Sequence, residues 1–552
     1  MARDSRGAYV RGEMSGEVTM VRAIMITSKM NNGWWRAFTC VAGLFGCLVV
    51  APGVGRAQVN VLTYHNDNAR TGQNLNETVL ALTNVNATQF GRLFSLAVDG
   101  YVYAQPLYVS NVSIPSNGVH NVVYVATEHD SVYAFDADTK AAPLWKTSFL
   151  SKKPSVKSVA STKAHCGDLV PEIGITGTPV IDPTTGTLYV VANTEEGTNF
   201  IQRLHALDIA TGREKFGGPV TITASVAGTG DGSVGGTISF NPLLGNQRPG
   251  LLLLNGVVYI AWASHCDLGL YHGWILGYGA TNLQQVAVFN ATPNGQQGGI
   301  WMSGDGLSAD TNGIIYGATG NGTFDANLGG IDFGDSVLKL SSTGGLAVVD
   351  YFTPFNQQML ADEDLDLGSG GVLVVPAQSA TVSNLLVACG KQGTVYVLNR
   401  DNLGHFQSGS DSQIVQSLTN LLKASFDTPA YWNGRVYYAG VDNPVEAFAI
   451  TNGLLSSSPV SVSAVAFGFP GATPSISANG ATNGIVWAIQ RSGKATLRAY
   501  DANNLKHELY SSSTRHGDSP GEAVKFAVPT VANGKVYVGV QRSLAVYGLR
   551  PD

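Results

Sequence analysis

Two matching His-Cys pairs, His165-Cys166 and His265-Cys266, are the residues whose types and spacing most directly suggest chemistry. A disulfide between Cys166 and Cys266 would tie together the two chain segments that carry them. A zinc site of mixed histidine and cysteine ligands is the alternative, although the spacing matches no standard zinc pattern. Cys389 lies inside an apolar run, which favours a buried thiol in a strand.

Acidic residues form two further candidate sites. The segment Asp362-Glu363-Asp364-Leu365-Asp366 concentrates carboxylates, which suit proton transfer or Ca²⁺ binding. It is alternatively an exposed acidic loop, or a loop that Ca²⁺ holds together. The pair Glu195-Glu196 directly follows an apolar strand-like run, and its simplest alternative is a solvated loop.

These residues are carried by a repeated unit that is clearest at residues 178–212. A short apolar strand, a turn at Asp182–Gly186, a strand TLYVVA from Thr187 and a third strand ending in Asp208-Ile209-Ala210-Thr211-Gly212 follow one another. The aspartate side chain suits such a turn because it bonds backbone N–H groups, and glycine accepts the positive φ. Four short antiparallel strands of this kind form one propeller blade.

The second strand of this unit recurs eight times at a spacing of roughly 60 residues, which is typical of propellers. The sequence therefore predicts an all-β fold, an eight-bladed β-propeller with four-stranded antiparallel blades. Because the last unit lacks a fourth strand, we expect the strand Phe90–Val98 to close the ring there. The recurring segments are VVYVAT (Val122), TLYVVA (Thr187), VVYIAW (Val257), IIYGAT (Ile314), LLVACG (Leu385), VYYAGV (Val436), IVWAIQ (Ile485) and VYVGVQ (Val536).

The composition and the N-terminal segment indicate which partners the protein can bind and in which compartment it is found. The formal net charge is −6, and residues 1–57 hold seven basic and three acidic residues, so the remainder is more acidic still. That charge argues against a nucleic-acid or anionic-membrane partner. The apolar run Ala37–Val50 is too short to span a membrane and reads as the core of a signal peptide cut near Ala57. We expect residues 1–57 to be a signal peptide with a possible true start at Met30, and the protein to be secreted or periplasmic.

Domain organisation follows from these segments. Residues 58–89 are polar and Asn-rich and predict an extended N-terminal arm that wraps the surface. Residues 90–552 predict the propeller itself. Long loops on such a rigid scaffold are where a binding or catalytic site is expected.

The D-x-x-T-G turn at Asp208–Gly212, the strand at Trp145 and the count of eight units resemble the pyrroloquinoline quinone (PQQ) repeat propellers. That superfamily includes the quinoprotein alcohol dehydrogenases and also non-catalytic members. The resemblance covers about Phe90 to Leu549. It implies the fold directly, whereas activity must be argued from individual residues because the repeat is structural.

In the dehydrogenases PQQ lies at the propeller axis with Ca²⁺ or another metal. The resemblance implies roles for residues at matching positions here, each of which also has a structural alternative as a turn, a channel filler or a surface charge. They are Glu195, Glu196 and Asn321 as metal ligands, Trp301 as the stacking face, Lys391 and Cys166 as further cofactor contacts, and Asp364 or Asp366 as the catalytic base.

Three departures separate the chain from those enzymes. Gly167 replaces the second of two adjacent bonded cysteines, Glu172 stands near where an arginine contacts the quinone, and no C-x-x-C-H haem motif is present. They favour a module that binds a small molecule or protein partner at the propeller face. The alternative is a PQQ- and Ca²⁺-dependent alcohol or sugar dehydrogenase. A glycan hydrolase would need paired carboxylates at the axis, and the acidic segment alone supports it weakly.

Overall fold

The computed structural model describes residues 59–551, which are almost entirely β-structure. Within this range the strands form eight small antiparallel sheets, the blades of a propeller, and one separate two-stranded hairpin. The predicted all-β, eight-bladed fold is confirmed. The predicted signal peptide, residues 1–57, lies outside the described residues. Across residues 59–551 no helix is both long and apolar enough to cross a membrane.

Blades 1 to 4 follow one another along the chain, and the strand nearest the axis comes first in each. The end of the second strand of blade 2 also pairs with a strand that precedes the blade. Their strands are Leu107–Ile114, Gly118–Thr127, Ser131–Asp136 and Trp145–Ser148 (blade 1), Val180–Asp182, Thr187–Glu196, Asn199–Asp208 and Val220–Thr221 with Val156–Ala160 and Glu172–Ile173 (blade 2), Leu252–Leu254, Val257–Ser264, Trp274–Gly279 and Gln285–Asn290 with Gly245–Asn246 (blade 3), and Ser308–Ala309, Ile314–Ala318, Val337–Ser341 and Ala347–Phe352 (blade 4).

Blades 5 to 7 repeat the same order, and blade 8 is built from both ends of the described chain. Their strands are Val372–Val374, Leu385–Cys389, Val395–Asn399 and Gln416–Leu418 (blade 5), Ala430–Trp432, Arg435–Tyr438, Asn443–Thr451 and Ser461–Phe467 with Leu454–Leu455 (blade 6), Ser475–Asn479, Thr482–Ser492, Lys494–Asp501 and Asn504–Ser511 (blade 7), and Thr530–Ala532, Lys535–Leu549 and Phe90–Tyr101 (blade 8).

Ring closure follows the predicted arrangement. The strand Phe90–Tyr101 pairs antiparallel with Lys535–Leu549, from Phe90 opposite Leu549 to Tyr101 opposite Gln541. Lys535–Leu549 reverses direction at Arg542, where φ is 56°, and so supplies both the second and third positions of the blade. The N-terminal strand therefore supplies the missing fourth strand and leaves no open sheet edge between blades 8 and 1.

The remaining elements lie in the connections between strands. Apolar side chains pack between the faces of neighbouring blades, and one such cluster joins Tyr537 of blade 8, Val123 of blade 1 and Leu188 of blade 2. The connecting elements are the hairpin Ser225–Ala227 with Thr237–Ser239, the α-helix Gln357–Asp362 and the 3₁₀ turns Ser161–Lys163, Met302–Gly304, Ala326–Leu328 and Leu367–Ser369. The strand Gln73–Asn74 belongs to the N-terminal arm and pairs parallel with the inner strand of blade 7.

The first part of the N-terminal arm, Val61 to Asn74, runs through the centre of the ring and not over the surface as its polar sequence predicts, whereas residues 75–89 lie partly exposed beside blades 7 and 8. Between Val61 and Asn74 it forms hydrogen bonds to all eight blades, in their order around the axis. Its polar residues are needed there because they face the backbone groups of the inner strands. Its partners from blade 1 to blade 8 are Tyr108, Ile181, Leu251, Ala309, Val374, Tyr431, Ile476 and Val531.

Arg70 is the central side chain of the arm and is fully buried. Its Nη1 donates to Thr63 Oγ1 at 2.8 Å and to the carbonyl of Tyr64 at 2.7 Å. Its Nε and Nη2 donate to the carbonyl of Leu307 at 3.1 and 2.8 Å, which links the arm to blade 4. The arm thus fills the axial channel at the level of the inner strands.

Candidate functional site

A cavity of about 490 Å³ opens at the axis, next to the loops that run into the inner strands. We call these segments the leading loops. The volume lies within the range of small-molecule sites. The lining residues are Asp168, Asn246, Ala263, Ser264, Cys266, Asp267, Tyr271, Gly299, Trp301, Asp364, Asp366, Lys391, Phe426, Phe469 and Phe526.

The cavity brings together five of the residues singled out in the sequence: Cys266, Trp301, Asp364, Asp366 and Lys391. Trp301 lies in the leading loop of blade 4, and both aspartates lie in that of blade 5. Lys391 directly follows the second strand of blade 5, so it emerges beside the same loop. The propeller geometry explains this, because leading loops and the ends of second strands meet at one end of the axis.

Lys391 links the two aspartates. Its ammonium Nζ lies 2.6 Å from Asp364 Oδ1 and 2.8 Å from Asp366 Oδ2. The two carboxylates differ in environment, since the Asp366 side chain is 7% exposed and that of Asp364 is 67% exposed. Only Asp366 therefore has the solvent-shielded setting in which a carboxylate is a strong proton acceptor.

Burial and neighbouring charges have opposite effects on the pKa values of Asp366 and Lys391. Burial raises the pKa of Asp366 above its ordinary value, although the Lys391 ammonium and the N–H of Asn321 lower it in part. Burial would lower the pKa of Lys391, but the nearby carboxylates of Asp366 and Asp364 outweigh it and raise that pKa overall. The arrangement is a charged lysine beside a carboxylate poised for proton exchange.

Asn321 holds both carboxylates from blade 4. Its backbone N–H donates to Asp366 Oδ1 at 2.7 Å, and its Nδ2 donates to Asp364 Oδ1 at 2.9 Å. The preceding residue, Gly320, has no Cβ, and a Cβ there would collide with Asp366 Oδ1. Asn321 Oδ1 is buried and forms no hydrogen bond to the described residues, so it is an acceptor left for a ligand.

Glu195 and Glu196 do not join this group. Glu195 Oε1 lies 3.7 Å from Lys163 Nζ, and Glu196 forms a two-point ion pair with Arg203. Neither side chain lines the cavity; Glu196 instead borders a groove beside blade 2. Across residues 59–551 no cluster of three His, Cys, Asp or Glu side chains is arranged to hold a metal. The predicted metal ligands Glu195 and Glu196 are thus paired with basic side chains rather than grouped with Asp366 and Lys391.

A disulfide joins Cys166 and Cys266, with their Cα atoms 5.8 Å apart. It connects the loop that precedes blade 2 to the end of the second strand of blade 3, and Cys266 lines the cavity. Both thiols are thereby consumed, so they are not zinc ligands in this state. Cys389 is a buried free thiol in blade 5, as the apolar run predicts.

The structure also locates Glu172, one of the residues that depart from the dehydrogenase pattern. The Glu172 carboxylate lies 3.0 Å from Nδ1 of His129, away from the cavity lining. A cation does reach the axis: the guanidinium of Arg248 is buried and lies 4.9 Å from the Phe526 ring and 5.6 Å from that of Tyr103. Arg248 Nε and Nη2 form no hydrogen bonds within the described residues.

Sequence reasoning missed three cavity residues, Phe426, Phe469 and Phe526. They lie in the leading loops of blades 6, 7 and 8. A signal for them existed, because the inner strands of these blades begin near a proline and each phenylalanine precedes one by three to five residues, at Pro429, Pro474 and Pro529.

Asp335 holds the backbone of the loop that carries Asp366. The backbone N–H of Leu367 donates to Asp335 Oδ1 at 3.1 Å and thereby fixes the residue after Asp366. Asp335 is fully buried, and burial raises its pKa to about 8, with the nearby Asp366 acting in the same direction.

We therefore expect the free energy of unfolding to fall as the pH rises towards 8 and to level off above it. A carboxyl group whose pKa is higher in the folded than in the unfolded protein favours folding only while the folded form stays protonated. Between pH 6.5 and 8.5 Asp335 alone should lower the free energy of unfolding by about 2 kcal/mol. Urea unfolding at both pH values checks this. Asp335→Asn should flatten the profile, and an equally steep profile in that variant would contradict the assignment.

Comparison with known proteins agrees with the fold. No protein-family model and no curated protein matches the sequence. Among solved structures, the quinohemoprotein alcohol dehydrogenase from Comamonas testosteroni resembles the chain with a TM-score of 0.55 at 15% identity, covering 90% of this chain and 81% of that one. A europium-containing methanol dehydrogenase does so with a TM-score of 0.57 at 13% identity, covering 89% and 98%. At such identities the likeness shows a shared propeller fold alone.

Proposed function

We propose that this propeller is a quinone-dependent dehydrogenase that oxidises an alcohol. The observation that carries the proposal is the buried Asp366 carboxylate, held 2.8 Å from the Lys391 ammonium at the wall of a cavity that Trp301 also lines. A module that only binds a partner does not require a buried carboxylate paired in this way. Two of the solved structures that resemble the chain are named dehydrogenases, which supports the same proposal.

The cavity residues fit a planar quinone such as PQQ. Trp301 offers a flat aromatic face, the Cys166–Cys266 disulfide contributes another part of the wall, and Lys391 supplies positive charge. A metal held by Glu195, Glu196 and Asn321 does not fit, because Lys163 and Arg203 pair with the two glutamates. The proposal therefore assigns no metal ligand to these glutamates, and the Lys391 ammonium is the charge that faces the reacting oxygen.

A bound quinone would accept the hydride from the carbon that bears the hydroxyl group. Asp366 takes the hydroxyl proton on its carboxylate, and Asn321 keeps that carboxylate oriented through its backbone N–H. Lys391 stabilises the negative charge that develops on the substrate oxygen as the proton leaves. The surrounding protein keeps bulk water from Asp366, whose side chain is 7% exposed.

The proposal predicts that PQQ binds and that Trp301 provides its stacking face. At a hundred times its Kd, PQQ should raise the free energy of unfolding by about 2.7 kcal/mol. Trp301→Ala should weaken binding about 10-fold, since an aromatic stacking contact is lost. Thermal unfolding with and without PQQ measures the binding, and dye-linked oxidation of alcohols measures turnover.

Glu195→Gln is the matched control, because Glu195 lies outside the cavity. It should change neither PQQ binding nor any response to added Ca²⁺. Loss of a Ca²⁺-dependent response in Glu195→Gln would show that the glutamate binds metal after all. Stabilisation by PQQ without oxidation of any alcohol would favour the binding module, and no stabilisation at all would refute the proposal.

A further inference from the structure

Three phenylalanines form one side of the cavity, and we call Phe426, Phe469 and Phe526 the aromatic wall. Their rings lie in edge-to-face and tilted contacts: 5.3 Å between the ring centres of Phe426 and Phe469 and 6.5 Å between those of Phe426 and Phe526. Trp301 touches the wall from the next side, with its ring 5.9 Å from Phe426 and 6.3 Å from Phe526. The wall is thus continuous with the proposed stacking face.

Two features of the aromatic wall are energetically unfavourable. Phe469 is 48% exposed, although its ring lines the cavity. Phe526 adopts a φ of 60°, a left-handed conformation that is unfavourable for a bulky residue, and the buried Arg248 guanidinium lies behind its ring. The strain at Phe526 and the exposure of Phe469, in neighbouring blades, point to an apolar group that covers these rings when the cavity is occupied.

The part of the lining that blades 3 and 5 contribute is polar and acidic. Asp366 and Lys391 belong to the leading loop and second strand of blade 5, and Asp267 follows the second strand of blade 3. The lining includes four aspartates and Lys391, and two further cations lie beside it, Lys525 paired with Asp168 and Arg248 against the Phe526 ring. The carboxylates still outnumber the cations, so the charge disfavours a negatively charged substrate. The cavity therefore has a polar, reactive part and an apolar part.

We propose that the substrate is an uncharged alcohol whose hydroxyl-bearing carbon carries an aromatic or bulky apolar group. The hydroxyl group faces Asp366 and Lys391, and the apolar group packs against Phe469 and the rest of the aromatic wall. This inference rests on the proposed dehydrogenase function for the orientation of the hydroxyl group. A sugar stacked on the same rings is the competing occupant that the experiment addresses.

The experiment compares four compounds on the full protein: benzyl alcohol, ethanol, glucose and mandelate. Titration calorimetry gives their affinities in the presence and absence of PQQ, and dye-linked oxidation gives kcat/KM. We expect benzyl alcohol to exceed ethanol and glucose in kcat/KM by at least 10-fold, and mandelate to bind at least 10-fold more weakly than benzyl alcohol. Mandelate tests the effect of negative charge, because it keeps the aromatic ring and adds a carboxylate.

Phe469→Ala should lower both the affinity and kcat/KM for benzyl alcohol about 10-fold and change the values for ethanol by less than 2-fold. The matched control is Phe355→Ala, a phenylalanine that is 44% exposed and does not line the cavity. It should change none of these values.

Two outcomes would overturn the inference: an equal loss for ethanol and benzyl alcohol in Phe469→Ala, or a preference for glucose that depends on Phe469. Failure of the proposed function looks different. In that case benzyl alcohol still binds in a Phe469-dependent manner while no alcohol is oxidised, which supports aromatic recognition and removes the dehydrogenase.

Discussion

Asp366→Asn is expected to lower kcat for alcohol oxidation by about 10²- to 10⁴-fold. Asparagine cannot accept the hydroxyl proton, but its amide oxygen can still accept the N–H of Asn321, so the loop should keep its shape. Binding of PQQ should therefore persist in this variant. Steady-state kinetics with benzyl alcohol, together with PQQ-induced stabilisation, separates lost chemistry from lost folding.

Asp364→Asn is the matched comparison, because it removes the other carboxylate that contacts Lys391. Asp364 is 67% exposed, and we expect its loss to lower kcat less than 10-fold. The wild-type kcat/KM should also rise with pH until Asp366 is ionised, at a pH above that of an ordinary aspartate, because burial raises the pKa of Asp366. A larger effect of Asp364→Asn than of Asp366→Asn would reverse the assignment of the base.

Arg70→Ala should be the most destabilising single substitution outside the cavity, by about 4 kcal/mol. It removes a buried guanidinium that bonds the carbonyls of Tyr64 and Leu307, and it leaves those oxygens without donors in the centre of the ring. Because the arm contacts all eight blades, the loss should lower the unfolding transition of the whole propeller. Urea unfolding followed by circular dichroism measures it.

Arg435→Ala serves as the control for that measurement. Arg435 Nη1 also donates to two backbone carbonyls, those of Ala502 and Asn503, but at the periphery of blades 6 and 7. Its loss should cost about 1 kcal/mol. Equal effects of the two substitutions would mean that the arm is attached to the ring without stabilising it as a whole.

The strands were predictable because their signal is local. Segments such as VVYIAW at Val257 are short continuous apolar runs, typical of strands buried on both faces, and they recur at a regular spacing. Closure by Phe90–Val98 followed from counting strands. The path of the arm was not predictable. Its Asn-rich sequence is typical of surface loops, and its hydrogen-bond partners, from Tyr108 to Val531, are spread over the whole chain.

The site was predictable in part for the same reason. Lys391, Trp301 and Asn321 were placed by their positions within a unit, which the fold preserves. Sequence could not separate Asp364 from Asp366, because two residues in one loop differ in burial only through what packs on them. Nor could it show that Glu196 is neutralised by Arg203, a partner seven residues away across a hairpin.

Because blade 8 combines the strands Phe90–Tyr101 and Lys535–Leu549, the ring closes only when both segments are present. The strand Phe90–Tyr101 is synthesised early, but its partner Lys535–Leu549 ends the described sequence. Any chain that stops before this partner, by premature termination or by proteolysis, leaves Phe90–Tyr101 and the neighbouring blade as open edges. Open edges invite aggregation and recognition by quality-control factors. Truncated molecules therefore expose open sheet edges, wherever before this partner strand the chain stops.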